Sequence, residues 1–208
     1  MAISFNQQKG SAQKTSISTF QYKDGDNSLR IVGDILARYV YWIKGENDKN
    51  IPLECLSFDR NVETFTNQEK DWVREYYPDL KCAWSYATQC IDNGEIKVVN
   101  LKKKLWEAII SAAEDLGDPT DPVTGWNIKF KRVKTGPLPY NVEYQLQALK
   151  CKPSPLSDKD TALLEELKSM DEVMSRPTPD AQKELLDRIR QAHTTEVDDT
   201  LESEFNVG

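Results

Sequence analysis

"KCAWSYATQCIDNGEIKVVNLKKKLWEAIISAAEDLG", residues 81–117, holds the transition that decides the fold. Asn93–Gly94 divides two strand-like runs, and an Asn-Gly pair supplies the positive φ angles of a type I′ hairpin turn. On the first run Cys82, Trp84, Tyr86 and Thr88 share one face; Ala83, Ser85 and Ala87 form the other. The period then lengthens. Leu105, Ile109, Ala112 or Ala113, and Leu116 recur at helical spacing over 102–116, and Gly117 stops the helix. The stretch therefore reads strand, strand, helix.

Upstream, "LRIVGDILARYVYWIKG" (29–45) predicts one long strand with Leu29, Ile31, Ile35, Tyr39, Tyr41 and Ile43 on one face. Gly33 in its interior predicts a bulge or sharp coil. "IPLECLSF" (51–58) is a second strand candidate. "TNQEKDWVREYYPDL" (66–80) predicts a short helix capped at Thr66 or Asn67, with Glu69 at capping-box distance and Pro78 closing it. Downstream of the helix lies the loop "DPTDPVTG" (118–125). Trp126, Ile128 and Phe130 then alternate with Asn127, Lys129 and Lys131, and after "TGPLP" Val142, Tyr144, Leu146 and Ala148 alternate with polar residues. Five strands with a helix between the third and fourth predict a mainly β body: an OB-fold-like Greek-key barrel with an inserted helical segment and C-terminal helices. The alternative is a mixed α+β sheet of the same elements without closure.

The expected organisation is a flexible polar arm over 1–27 and a body over 28–152 with an insertion at about 51–80. An amphipathic helical segment over 153–193 and an acidic tail over 194–208 complete the chain. Two helices are expected in the third part, about 158–174 and about 179–193, the second capped by Thr178 with Pro179 at its first position. The net charge of −7 is unevenly spread: residues 153–208 hold 14 acids against 6 bases, whereas 1–152 hold 20 against 21. The body is thus near neutral, with local basic zones.

Those zones frame the chemistry. Lys102, Lys103 and Lys104 open a helix, where the macrodipole disfavours positive charge unless an anion lies alongside. Lys129 and Lys131 form a stripe opposite the Trp126–Ile128–Phe130 core face, and Arg132 and Lys134 belong to the same basic group along the chain. Cations for phosphates beside rings for bases are what single-stranded nucleic acid requires, and Trp84, Tyr86, Trp106, Tyr39 and Tyr41 are the available rings. Arg38 and Lys97 complete the candidate set; a solvated charged face over an aromatic core would use the same residues.

Other classes fare worse. The one histidine, His193, lies far from the body, so no Ser-His-Asp or Cys-His set can form there. There is no Walker A or GxGxxG motif, and the acids of "EDLGDPTD" (114–121) read as a Pro-punctuated loop rather than a Mg²⁺ site. Cys55, Cys82, Cys90 and Cys151 lack zinc-ligand spacing and read as reduced, mostly buried thiols. Neither a membrane span nor a secretory h-region is apparent, so the expectation is a cytoplasmic non-enzyme with no metal or cofactor.

"GEIKVVNLKKKLWEAIISAAEDLGDPTDPVTGWNIKFKRVK" (94–134), with "LKCAWSYATQCID" (80–92) before it, resembles the strand, lysine-tryptophan helix and strand passage of T4-type phage single-stranded DNA-binding (helix-destabilising) proteins. The resemblance covers about 28–150 and implies an OB-fold that binds single strands without strong sequence preference in a basic, aromatic-lined cleft, acting in phage replication or recombination. By position it implies that Lys102 to Trp106, Trp84, Tyr86 and the Lys129–Lys134 strand line that cleft. It also implies self-association on DNA through a basic N-terminal arm, and recruitment of replication proteins through the acidic tail, here Asp198, Asp199, Glu202, Glu204 and Phe205. Two features depart from the family. Residues 51–80 contain Cys55 and no His where T4-type members hold zinc, and the arm has Lys9 and Lys14 without a compact basic motif. The competing reading is a scaffold module that docks replication or transcription machinery through tail and helices.

Overall fold

The computed structural model describes residues 17–45, 49–138 and 141–205, with side chains described up to residue 192. In chain order its elements are β1 (Gly25–Lys44), β2 (Asn50–Glu54), β3 (Phe58–Asp59), β4 (Thr64–Phe65), α1 (Trp72–Tyr76), β5 (Ala83–Asp92) and β6 (Glu95–Leu101). They continue with α2 (Lys103–Leu116), β7 (Ile128–Lys134), β8 (Val142–Leu146), α3 (Asp158–Leu163), α4 (Met170–Val173) and α5 (Pro179–Phe205). The protein is mainly β: one antiparallel sheet in the order β6-β5-β1-β7-β8, with β2 paired to the end of β1 and β3–β4 as a separate hairpin.

β1 organises everything. Residues 25–29 pair with β7, 30–40 with β5, and 40–44 with β2. One strand can serve three partners only by coiling, and the register slips between Val32 and Ile35, where Gly33 has φ 75°. The β5–β6 turn is the expected hairpin, with Asn93 at φ 54° and Gly94 at φ 75°. The strand order and the helix between β6 and β7 are compatible with an OB-like barrel. The β6–β8 hydrogen bonds that would close one are absent among the described residues.

Something else fills that seam. Thr19 and Val98 form an isolated parallel bridge, Phe20 N–H donating to the Val98 carbonyl and Val98 N–H to the Ser18 carbonyl. Two residues on, the Tyr22 hydroxyl donates to the Asn100 carbonyl on β6 at 2.8 Å, and its ring meets Tyr144 on β8 edge-on at 5.1 Å. Residues 17–24, expected in a flexible arm, are therefore laid against the body; Phe20 is buried and β1 begins at Gly25. Residues 1–16 lie outside the described part.

The interior beneath α2 holds Leu29, Ile31, Cys90, Val99, Trp126, Ile128 and Phe130. Leu105 and Ile109 plug α2 into it, each contributing about 1.5–3 kcal/mol by burial. The opposite face, at Leu36, Ala87 and Val98, is covered by Met170 of α4.

The insertion forms a third cluster around Tyr41, Cys55, Phe58 and Val73, sealed by Leu186 of α5. Its centre is Asp71. Oδ2 accepts from the Tyr41 hydroxyl at 3.2 Å and Leu56 N–H at 3.1 Å, while Oδ1 caps α1 at Val73 N–H. The cap is thus Asp71 rather than Thr66 or Asn67, because its carboxylate also serves buried donors that no surface cap reaches.

The C-terminal region is likewise built in. Arg176 donates to the Leu56 and Phe58 carbonyls at 2.8 Å, and Gln182 accepts from Trp72 N–H while donating to the Glu54 carbonyl. The expected helix over 158–174 is interrupted into α3, a 3-10 turn at Leu164–Glu166 and α4. Thr178 does cap α5 through Ala181 N–H, and α5 runs on to Phe205. No helix among the described residues is long and apolar enough to cross a membrane.

Candidate nucleic-acid interface

The end of β6 and the start of α2 bring lysines and rings together. Lys102 and Lys103 line a cleft of about 460 Å³ with Arg38, Arg132, Tyr22, Trp42, Trp84 and Tyr144. Lys102 Nζ lies 5.7 Å from the Tyr22 ring centroid and Lys103 Nζ 5.5 Å from that of Trp84, so each ammonium hovers at an aromatic face. Trp84 packs edge-on against Tyr86 at 4.3 Å, and Tyr86 against Trp106 at 5.1 Å. The rings form a continuous ladder from rim to core.

The electrostatics favour an anion. α2 has no side-chain cap and no acid in its first turn, so its exposed amides and three lysines stack positive charge at the positive end of the macrodipole. Much of the Lys102 side chain is exposed, yet crowding of its ammonium lowers its pKa. Beneath the cleft Arg38 is 9% exposed and donates to Asn100 Oδ1 at 2.9 Å, while its Nε has no acceptor. Burial lowers the pKa of that guanidinium too. A buried donor lacking a partner is costly, and a phosphate oxygen would satisfy it.

The remaining sequence candidates divide. Trp106 is half-buried and supports Tyr86 from the core side. Lys104 is exposed on α2 outside the cleft lining. Arg132 faces the cleft, ion-paired to Asp24, and Lys134 reaches the same carboxylate at 3.3 Å. Lys129 and Lys131 alternate with Phe130 and Arg132 and so leave β7 from the other face, away from the cleft. Lys97 sits toward the hairpin tip, held by Asp92 at 2.8 Å, which raises its pKa. Tyr41 is a core residue bonded to Asp71. The backbone of Asp198, Asp199, Glu202, Glu204 and Phe205 is helical within α5, but their side chains lie outside the described residues.

Tyr22, Trp42 and Tyr144 were missed. Tyr22 stood in the presumed arm, Trp42 falls within the predicted 29–45 strand without a role, and Tyr144 stood as an alternating strand position. Trp42 is 51% exposed on β1, which becomes visible only in the fold. A second cavity, about 410 Å³ at the β5–β6 turn, carries Arg30 beside Asp92 and Asp160 and suits a polyanion less well. Among the described residues no group of His, Cys, Asp and Glu is placed to hold a metal ion.

A cleft with cations at its mouth and the rings of Tyr22, Trp42, Trp84 and Tyr144 along its wall defines a class of surface, one suited to flexible polyanions that carry flat aromatic groups. No family model matches the chain. The chain is 23% identical over 248 residues to a probable ssDNA-binding protein of Escherichia phage T5, an alignment spanning all of this chain and 94% of that protein. The similarity is to a T5 protein rather than a T4-type one, and supports the coarser part of the resemblance drawn from the sequence.

Proposed function

We propose that this protein binds single-stranded DNA, without catalysis, by threading the sugar-phosphate chain past Lys102, Lys103 and Arg38 while bases stack on Trp84, Trp42 and Tyr22. The observation that carries the proposal is the shared cleft: cations from α2 and β1 converge with rings from four separate parts of the chain. The name of the T5 relative supports the same ligand. On this reading the protein covers unwound strands during phage replication or recombination, in the cytoplasm of an infected cell. The acidic end of α5, from Asp198 to Phe205, recruits other replication proteins, and neighbouring molecules self-associate along the strand. The T4-type kinship implied by the 94–134 pattern belongs to this proposal as well.

The test separates the two contributions. Anisotropy of labelled oligo-dT is titrated across salt concentrations with Lys102→Ala and Trp84→Ala. Losing one phosphate contact lowers the steepness of log K against log salt by about 0.7. Losing one stacking platform costs about 1–3 kcal/mol with little change in that steepness. If both variants bind like the parent at every salt concentration, the cleft is not the interface.

A further inference from the structure

We propose that the cavity walled by Tyr39, Phe58 and Phe65 is a nucleobase pocket opening off the cleft, and that Glu63 at its lip selects cytosine over thymine; the inference rests on the single-stranded DNA reading above. The cavity measures about 430 Å³ and shares Arg38 and Trp84 with the cleft, so a strand leaving one enters the other. Its wall is an aromatic box. Tyr39 lies 4.8 Å from both Phe58 and Phe65, and those two rings are 5.3 Å apart across the β3–β4 pair. Phe65 is nevertheless 49% exposed, an apolar surface left in a concavity where a flat ring would cover it.

The box is also held still. Arg60, in the hairpin turn, is ion-paired to buried Glu54 and reaches the Met174 carbonyl at 2.9 Å, tying the hairpin to the C-terminal region. Arg38, buried with its Nε unpartnered, sits where the two cavities meet. A phosphate on Arg38 would turn the chain so that the next base enters the side cavity.

Glu63 sets the choice. It occupies the turn at φ 51°, is exposed, and lines the cavity with no ion pair to its carboxylate among the described residues. An ionised carboxylate only accepts hydrogen bonds, and the cytosine 4-amino group donates where thymine presents a carbonyl oxygen. Thymine therefore sets oxygen against oxygen.

The experiment compares oligo-dC and oligo-dT of equal length at pH 8 and fixed salt, for the parent, Glu63→Gln and Phe65→Ala. The parent is expected to favour oligo-dC by about fivefold, the worth of one good hydrogen bond. Glu63→Gln, whose amide both donates and accepts, should abolish that preference while leaving oligo-dT affinity equal or higher. Phe65→Ala should weaken both oligomers together. Tight binding of both without preference overturns the pocket and leaves the cleft standing, and a preference that survives Glu63→Gln removes Glu63 as its cause. Failure to bind either oligomer overturns both readings.

Discussion

Single residues in this chain do work that their type alone does not announce. Asp71 is the clearest case: one buried carboxylate receives Tyr41, Leu56 and Val73, from β1, the loop after β2, and α1. A hydrogen-bond hub thus occupies the centre of the insertion. Asp71→Ala would strand several buried donors at once, so an expected loss of about 3 kcal/mol follows from the penalty for unsatisfied groups. Urea unfolding measures it, and Asp71→Asn, which keeps an acceptor oxygen, should lose distinctly less. Equal stability of parent and Asp71→Ala would show that packing alone holds the insertion. Arg38 and Lys102 illustrate the opposite economy: their surroundings raise the cost of the charge, which for Arg38 the nearby Glu54 carboxylate partly offsets.

At the scale of elements, local chemistry was legible wherever one residue type enforces one geometry. Asn93–Gly94 made the hairpin, Gly33 the slip in β1, Gly117 the end of α2 at φ 80°, and Thr178–Pro179 the start of α5. Long-range contacts were not legible. Nothing near Met170, Gln182 or Leu186 states that each lands on the body, because binary pattern records which face is apolar and not what covers it. The candidate site shows the same division: the lysine-tryptophan helix start and the Trp84 strand were readable locally, whereas Tyr22 and Tyr144 join them only through the sheet. This changes where the chain can be cut. Ending it at Lys152 removes Met170, Leu186 and Ile189, all buried, together with the Arg176 bonds. Ending it at Gln191 keeps every one of them. The shorter piece should lose its cooperative melt, while residues 1–191 should melt within about 4 °C of the full chain, since about 1 kcal/mol moves the melt of a chain this size by about 2–4 °C. Circular dichroism melts decide it; a cooperative 1–152 fragment would mean that α4 and α5 are decoration.

The whole molecule is a coiled sheet closed by side chains from its own N-terminal region, with thiols and phenols buried along the joints. Burial pushes the Cys90 thiol up to about 12 and Cys55 to about 12, and raises Tyr22 and Tyr41 as well. In each case the folded state holds its proton more tightly than the unfolded chain does. The thiols' contribution to stability is therefore complete below their unfolded value of about 8.5 and the phenols' below about 10, and each declines as pH climbs toward the folded value. The sign is fixed by proton count: between those values the native state binds more protons, so unfolding becomes easier with every unit of pH. Each such group adds a slope of up to about 1.4 kcal/mol per pH unit. Unfolding free energies from denaturant titrations between pH 8 and 11 should fall steadily, and Cys90→Ala should flatten the fall by about one group's share even though the variant starts less stable for want of packing. Comparing slopes rather than absolute values isolates ionisation from the cavity that the substitution leaves. An unchanged slope in Cys90→Ala would mean that the seam beneath Tyr22 opens to water before the thiol ionises, and the closure by Phe20 and Tyr22 would then be too loose to shape the cleft.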